Sequence, residues 1–364
     1  MPAINTLIHG DIHSVLPTLS TDSVDLVFAD PPYNLQLRGD LLRPNHTLVD
    51  AVDDEWDQFK SFAAYDRFTQ AWLTQVRRIM KPTATIWVSG TYHNIFRVGN
   101  IMQDLGFWVL NFVTWYKYNA MPNFRGTRLK NDAEFIIWAK YDETSRYTFN
   151  HHSMKRFNAG KQLGSVWQIN ACGGDERLRD DAGNKLHPTQ KPEDLLYRVL
   201  LASSLPDDLV FDPFTGTGTT LAMAKHLRRR WLGIERDPRY YHAAQARIAQ
   251  MTRLPADSDK LRDQADVPQP RVAFKKLLQR GYLQVGQCLY LGGQGTCATV
   301  CANAKLQAGN DIGSIHSLAR TLKQTQSANG WLEWYYEDEA GERRPIDHLR
   351  DQYRANELPS GAAD

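Results

Sequence analysis

The sequence predicts an α/β fold: a doubly wound, mostly parallel sheet followed by a second, smaller domain. Three observations carry this. Short apolar runs alternate with segments of helical periodicity from Val24 to Glu235, the pattern of strands joined by helical crossovers. Next comes a stretch rich in Asp, Pro, Gln and Arg, from Leu254 to Pro270. Beyond it, Arg271–Arg354 has apolar residues of its own, including Trp331, Trp334, Tyr335, Tyr336 and Tyr353, enough for a small core.

The elements follow in order. Val24–Ala29 is a continuous apolar run and reads as a buried strand. Phe62–Met80 sets Phe62, Tyr65, Phe68, Trp72, Val76 and Ile79 along one side of a helix, with Lys81-Pro82 expected to end it. Thr85–Ser89, Trp108–Trp115 and Phe135–Ala139 read as strands. Glu193–Ala202 is a helix opening after Pro192; Leu209–Phe211 a strand; Thr219–Arg228 a helix; Trp231–Glu235 a strand. Two polar stretches break the alternation, Gly39–Asp57 and Tyr141–Lys185. Loops this long in a compact domain are commonly functional or disordered. The expected division is a first domain over 1–255, with an insertion at about 141–185, a linker over 256–270, a second domain over 271–357, and a disordered tail over 358–364.

Composition narrows the class. Lys and Arg total 43 against 41 Asp and Glu, a formal charge of +2 over 364 residues. That balance neither supports nor excludes nucleic acid, because a local basic face matters more than the total. No apolar run approaches the ~20 residues of a membrane span. Met1-Pro2-Ala3-Ile4-Asn5 lacks a basic region followed by an apolar core, so no signal peptide is expected. Cys172, Cys288, Cys297 and Cys301 are few and irregularly spaced. They suit a reduced cytoplasm, and without paired C-x-x-C units no metal site is expected.

Asp30-Pro31-Pro32-Tyr33 leaves the first strand in an unusual way. Proline fixes φ, gives up its N–H and holds the preceding residue extended. The result is a stiff arm at a strand's C-terminal end, where open α/β sheets hold ligands. It carries a carboxylate, carbonyl acceptors and a ring, a set that suits a flat, amino-bearing heterocycle. The same four residues would also serve as a plain proline-rich turn.

A second candidate site lies at Phe211-Asp212-Pro213-Phe214-Thr215-Gly216-Thr217-Gly218-Thr219-Thr220. It reads as strand, glycine turn and helix start, with free N–H groups and a positive helix end. The Gly-Lys-Ser/Thr of a phosphate loop is absent, and Leu221 stands where a dinucleotide fingerprint wants a third glycine. Glu235 closes the next strand, a position that commonly takes ribose hydroxyls. Together they fit an adenosine-bearing cofactor with no phosphate to cradle, a description S-adenosylmethionine meets. Between the sites, His187-Pro188-Thr189-Gln190-Lys191-Pro192 would bring Thr189 and Lys191 toward the cofactor's carboxylate end; it would also serve simply to start a helix.

This set resembles the amino-group DNA methyltransferases of the β subclass, whose catalytic motif precedes the cofactor motif. His9-Gly10-Asp11, Asp40-Leu41-Leu42-Arg43-Pro44, Val52-Asp53-Asp54-Glu55-Trp56-Asp57, Tyr92-His93-Asn94-Ile95-Phe96-Arg97 and Met121 to Arg128 extend the resemblance to the cell-cycle-regulated (CcrM) adenine methyltransferase group and its restriction-system relatives. Ser314-Ile315-His316 and Asn329-Gly330-Trp331 are similar to that group's C-terminal domain. The resemblance implies a Rossmann-like methyltransferase sheet with a small C-terminal DNA-binding domain. It implies methyl transfer to adenine N6 in double-stranded DNA, usually within GANTC, a homodimer, a cognate restriction endonuclease or an orphan regulatory role, and residence at the nucleoid of a bacterial cytoplasm. By position, Asp30 and the Pro31 carbonyl would accept from the amino group, Pro32 would stiffen the arm, and Tyr33 would stack on the base. Asp11 would sit near the cofactor adenine and Glu235 on its ribose. Asp212, Phe214, Gly216, Gly218 and Thr219, with Thr189, Lys191 and Asp30, would line the remainder.

Departures are few. Asn131-Asp132-Ala133-Glu134 stands for a usual Asn-Ala-His-Glu, Ala120 for a common proline and Thr215 for a common phenylalanine. Leu41, Leu42 and Arg43 form a candidate wedge for opening the duplex. Asn123, Arg125, Arg128, Lys155 and Arg156 are candidates for DNA contact, mostly to phosphates, and His316, Asn329 and Trp331 for contact from the second domain. An N4-cytosine methyltransferase and a non-enzymatic DNA-binding regulator are the competing readings. Asp rather than Ser before Pro-Pro-Tyr favours adenine, and the intact catalytic motif favours an enzyme.

Overall fold

The computed structural model describes residues 4–35, 57–123, 126–263, 271–292, 295–338 and 341–357. Leu41, Leu42, Arg43 and Arg125 lie outside the described residues. Contacts divide the chain into two units, Met1–Ala265 and Asp266–Asp364. Among the described residues, no helix is long and apolar enough to cross a membrane.

The first unit runs β1 (Thr6–His9), α1 (Ile12–Val15), β2 (Val24–Ala29), α2 (Phe62–Ile79), β3 (Met80–Gly90), α3 (Ile95–Asp104), β4 (Trp108–Tyr116), β5 (Ala133–Lys140), α4 (His151–Arg156), β6 (Val166–Gln168), α5 (Glu193–Ser203), β7 (Leu209–Asp212), α6 (Thr219–His226), β8 (Arg230–Glu235) and α7 (Pro238–Gln250). The sheet order is β1-β8-β7-β2-β3-β5-β4-β6. All pairings are parallel except those of β5, which runs antiparallel to both β3 and β4. From β2 the chain crosses to β3 on one side; from β7 it crosses to β8 on the other. The β2–β7 seam is thus a topological switch point, where a crevice opens at the strands' C-terminal ends.

Burial explains the apolar run of β2. Leu26 and Phe28 point into one core, with Leu196, Leu200 and Val210; Val27 and Ala29 point into the other, with Trp72, Val76 and Ile86. A strand covered on both faces needs no polar alternation. α2 opens at Ser61, whose side chain accepts from the Ala64 N–H, a standard N-cap. The helix ends at Ile79, but Lys81-Pro82 lies inside β3 and does not separate the elements. The β2–β3 register shifts between Val24 and Leu26, and a ladder irregularity is where a strand tolerates proline. β1 and β6 were not foreseen from the sequence; β6, inside the long polar insertion, pairs with β4 at the sheet edge.

Residues 256–263 also depart from expectation. Leu261 is buried in the core of the first unit, and Asp263 accepts from the Ser153 N–H at 2.6 Å. Composition hid this because one leucine among polar residues supplies the anchor.

The second unit comprises α8 (Phe274–Gln279), β9 (Cys288–Leu291), β10 (Cys297–Val300), β11 (Leu306–Ala308), β12 (Asp311–Gly313), α9 (Ile315–Lys323), α10 (Gly330–Glu333), β13 (Trp334–Glu337), β14 (Arg343–Pro345) and α11 (Asp347–Glu357). Its antiparallel sheet has the order β12-β11-β10-β9-β13-β14. Its core gathers Leu277, Leu289, Val300, Ile315, Trp334 and Ile346. Cys288 and Cys297 are joined in a disulfide, whereas reduced cysteines were expected. Antiparallel β9 and β10 bring them together, which their spacing did not reveal.

Candidate active site

Four parallel strands end side by side along the crevice. Asp11 follows β1, Asp30 follows β2, Asp212 ends β7 and Glu235 ends β8. All four line one cleft of about 390 Å³, together with Pro31, Pro32, Tyr33, Thr189, Lys191, Phe214, Gly216 and Thr219.

The arm after β2 is braced from behind. The Asp57 carboxylate accepts from the N–H groups of Tyr33, Asn34 and Leu35 at 2.5, 2.8 and 2.8 Å. The Pro32 carbonyl accepts from the Tyr65 hydroxyl at 2.9 Å, and that hydroxyl accepts from Asn94 Nδ2 at 3.0 Å. These bonds satisfy a backbone that two prolines keep out of any ladder.

Asp30 is held on both oxygens. Tyr33 Oη donates to Oδ1 at 2.6 Å, and Lys191 Nζ donates to Oδ2 at 2.6 Å. Tyr33 is 6 % exposed, so it is packed here and is not presented as an open stacking surface. Lys191, expected near the cofactor's carboxylate end, lines the cleft and is paired with Asp30. Burying an ammonium demands a counter-ion, and Asp30 supplies it.

A second carboxylate joins them. Glu134 Oε2 lies 3.3 Å from Tyr33 Oη and 3.7 Å from Lys191 Nζ, and Glu134 Oε1 accepts from Lys117 Nζ at 3.0 Å. Ser89 Oγ is 2.8 Å from Tyr33 Oη. Because β5 is antiparallel, its first residues sit beside the last residues of β3, with Gly90 opposite Phe135. That reversal carries Glu134 to the catalytic edge. In the sequence Glu134 and Asp57 stand out only as motif positions, within Asn131–Glu134 and Val52–Asp57, and nothing local singles out Ser89 or Lys117 for the site.

Burial pushes the Asp30 carboxyl up, against the pull of Lys191 and Tyr33. Burial also opposes charge on Glu134, but Lys191 and Lys117 hold it below the usual range. Lys191 is buried too, yet Asp30 and Glu134 raise it, so it stays charged. Asp212 is pushed up to about 7 by burial.

At the other end of the cleft, Gly216 is left-handed (φ 53°) and its N–H donates to Glu235 Oε2 at 2.7 Å. Glu235 Oε1 accepts from the Asp237 N–H at 2.7 Å. Phe214 N–H donates to Asp212 Oδ1 at 2.9 Å. Gly218 is explained by packing: φ is 83°, and a Cβ there would stand 2.8 Å from the Ala244 Cβ. Thr219 Oγ1 donates to the Lys191 carbonyl at 3.2 Å and accepts from Arg247 at 2.9 Å, so its hydroxyl serves the fold. The Thr189 N–H donates to His187 Nδ1 at 3.1 Å, and burial, then Lys191 and Arg177, hold His187 down at about 3. Asp11 caps α1 by accepting from the His13 N–H at 2.8 Å.

The lining is acidic, with Asp11, Asp30, Asp212, Glu235 and Asp237 facing Lys191 and Arg236. Such a surface repels phosphates and suits a ligand carrying positive charge and hydroxyl donors. A sulfonium nucleoside fits it.

Residues 24–246 match the family model described as DNA methylase, of the N6 and N4 type. The chain belongs to the N6/N4 DNA methyltransferase family. Residues 256–358 of the methyltransferase match a second model, Restriction Enzyme Adenine Methylase Associated. It is 41% identical over 350 residues to the type II methyltransferase M.HinfI of Haemophilus influenzae, covering 96% of this chain and 97% of that one. It is 39% identical over 243 residues to the type II methyltransferase M2.LlaDCHI of Lactococcus lactis subsp. cremoris, covering 66% and 88%. The PvuII DNA methyltransferase (cytosine-N4-specific) shares the fold, with a TM-score of 0.53, 21% identity, and 71% and 89% coverage.

Arg128 is exposed and donates to the Tyr92 hydroxyl at 2.7 Å. Asn123 precedes the same loop. Lys155 and Arg156 end α4, and Arg156 donates to the Asp259 carbonyl at 2.9 Å, so it pins the chain after α7. In the second unit, His316 Nδ1 accepts from the Gly330 N–H at 3.0 Å, and the Asn329 side chain caps α10. Trp331 packs edge-on against Phe274 and under Arg350. These three have structural partners within the unit, and His316 and Asn329 remain exposed.

Proposed function

We propose that this DNA methyltransferase modifies adenine N6 in double-stranded DNA, within GANTC. The observation that carries the proposal is Asp30 at the head of Pro-Pro-Tyr, its carboxylate facing the cofactor cleft. The match of 256–358 to an adenine-methylase-associated model supports the base, and the likeness to M.HinfI across both units supports the site.

S-adenosylmethionine supplies, when bound, a methyl group on a sulfonium sulfur that an amino nitrogen can attack. Glu235 is the residue to hold its ribose, Asp11 its adenine, and Phe214, Gly216, Thr189 and Asp212 the rest, as an acidic, phosphate-free cleft suggests. An adenine amino nitrogen is a poor nucleophile because its lone pair is delocalised into the ring. Asp30 and the Pro31 carbonyl, accepting its two hydrogens, favour a pyramidal nitrogen with the lone pair outward. Catalysis is then alignment and hydrogen-bond acceptance, with no covalent enzyme intermediate. A paired base cannot reach this cleft, so the target flips out, at a cost of a few kcal/mol. The enzyme acts in a bacterial cytoplasm, as a homodimer, beside a cognate restriction endonuclease or as an orphan.

The test is incubation with labelled S-adenosylmethionine and plasmid DNA, digestion to nucleosides, and mapping of modified positions. N6-methyladenine confined to GANTC is expected. N4-methylcytosine, or N6-methyladenine at other sequences, would overturn the base or the site respectively.

A further inference from the structure

An incoming amino group meets an Asp30 carboxylate whose two oxygens each already accept one short hydrogen bond, so it competes with two strong donors for the same acceptor. Oδ1 is taken by the Tyr33 hydroxyl and Oδ2 by the Lys191 ammonium, each at 2.6 Å. Asp30 accepts most strongly from a substrate amino group if these two donors shift part of their hydrogen bonding to another acceptor. A buried ammonium is strongly destabilised without a carboxylate beside it, so a second carboxylate within reach is needed wherever Asp30 is shared.

We infer that Glu134 is a positioning residue that takes over Lys191 and the Tyr33 hydroxyl when the substrate amino group claims Asp30. Four observations converge on it. Glu134 Oε2 already stands 3.3 Å from Tyr33 Oη and 3.7 Å from Lys191 Nζ, so both donors change partner by less than the width of an atom. A phenol has one hydrogen to donate, and of these two carboxylates Asp30 now receives it at the shorter distance. Lys117 anchors the other Glu134 oxygen at 3.0 Å, which keeps Oε2 turned inward. The cluster balances, two carboxylates against two ammonium groups, with each side chain at most 17% exposed. Exchange of partners inside it therefore moves no net charge into or out of the protein. This inference rests on the reading of Asp30 as the acceptor of the substrate amino group; it does not depend on which base carries that group.

The test compares wild type with Glu134→Gln and Lys117→Met in the full-length protein. Single-turnover methyl transfer to a duplex carrying the target site is followed across pH, with cofactor and DNA dissociation constants measured separately. In E134Q, Lys191 stays on Asp30, and the transfer rate is expected to fall ten- to a hundredfold with both dissociation constants within threefold. Lys117→Met leaves the carboxylate but frees it to turn, so a smaller loss is expected. The double variant should be no slower than E134Q, because both act through one oxygen. The acid limb should also move to lower pH in E134Q. Asp30 faces Lys191, Tyr33, Glu134 and, across the seam, Asp212; removing the negative charge of Glu134 makes Asp30 easier to ionise.

A rate within twofold of wild type in E134Q would overturn the inference. So would a loss matched by weaker cofactor binding, or an unmoved acid limb. If E134Q does not fold, Lys117→Met decides alone: a transfer rate equal to wild type overturns the inference, and a rate loss at unchanged cofactor affinity supports it. Product analysis of the wild type separates this from the choice of base. Methylcytosine would end the adenine reading, whereas the rate of E134Q judges the role of Glu134 on either product.

Discussion

Asp30 and Tyr33 act as a unit, and their replacements should not behave alike. Asp30→Ala removes the proposed amino-group acceptor, and methyl transfer is expected to fall below detection, with cofactor affinity within a few-fold of wild type by titration calorimetry. Substantial residual transfer at saturating cofactor would remove Asp30 from its role. Tyr33 has two things to lose. Its hydroxyl holds Asp30 Oδ1 and meets Ser89, while its ring fills the cleft wall. Losing one buried hydrogen bond costs about 1 kcal/mol, so Tyr33→Phe should slow transfer roughly five- to tenfold. Tyr33→Ala should be slower still. A phenylalanine enzyme as fast as wild type would mean an idle hydroxyl; one as slow as alanine would mean an idle ring. The sequence exposed Asp30 and Tyr33 because Pro-Pro is rare after a strand. It did not expose Lys191 as the partner of Asp30, since that contact joins residues 161 positions apart.

Among the elements, the α6–α7 packing depends on a missing side chain. Gly218 combines φ 83° with a Cβ position 2.8 Å from Ala244. Gly218→Ala meets backbone strain and a packed neighbour together, which we expect to cost about 2–3 kcal/mol. For a unit of this size that lowers Tm by roughly 4–10 °C. Gly160 is also left-handed, at φ 76°, but a Cβ there meets nothing within 4 Å. Gly160→Ala should cost only about 1 kcal/mol, from strain alone. Equal shifts in a thermal melt would show that α7 yields. The glycine turn was legible in the sequence as a site of close approach. Which partner makes the approach was not, because α7 comes from a later segment. β5 teaches the same lesson. Its apolar run announced a strand, but strand direction depends on how the chain returns to the sheet. Only direction puts Glu134 beside Ser89 and not at the far edge.

At the scale of the whole molecule, the proposed function gives the two units different tasks. The described residues that line the cleft, from Asp11 to Tyr240, belong to the first unit. A chain ending at residue 265 keeps Leu261 and Asp263, which anchor to the first unit. It is expected to bind S-adenosylmethionine within a few-fold of the full chain and to lose at least tenfold in affinity for target DNA, measured by fluorescence anisotropy at fixed salt. Full-strength DNA binding by the shortened chain would remove the second unit from recognition. By itself the sequence determined the α/β alternation and singled out Asp30-Pro31-Pro32-Tyr33 and the turn from Asp212 to Gly218, which lie along one cleft. Those are local signals: apolar periodicity, proline stiffness and glycine freedom act on neighbouring residues. The tertiary structure alone decided that Lys191 and Glu134 share the Asp30 site, that Asp57 braces the arm, and that residues 256–263 belong to the first unit. These depend on distant residues meeting once the sheet is assembled, where a buried charge or an unpaired amide must find a partner wherever the fold supplies one.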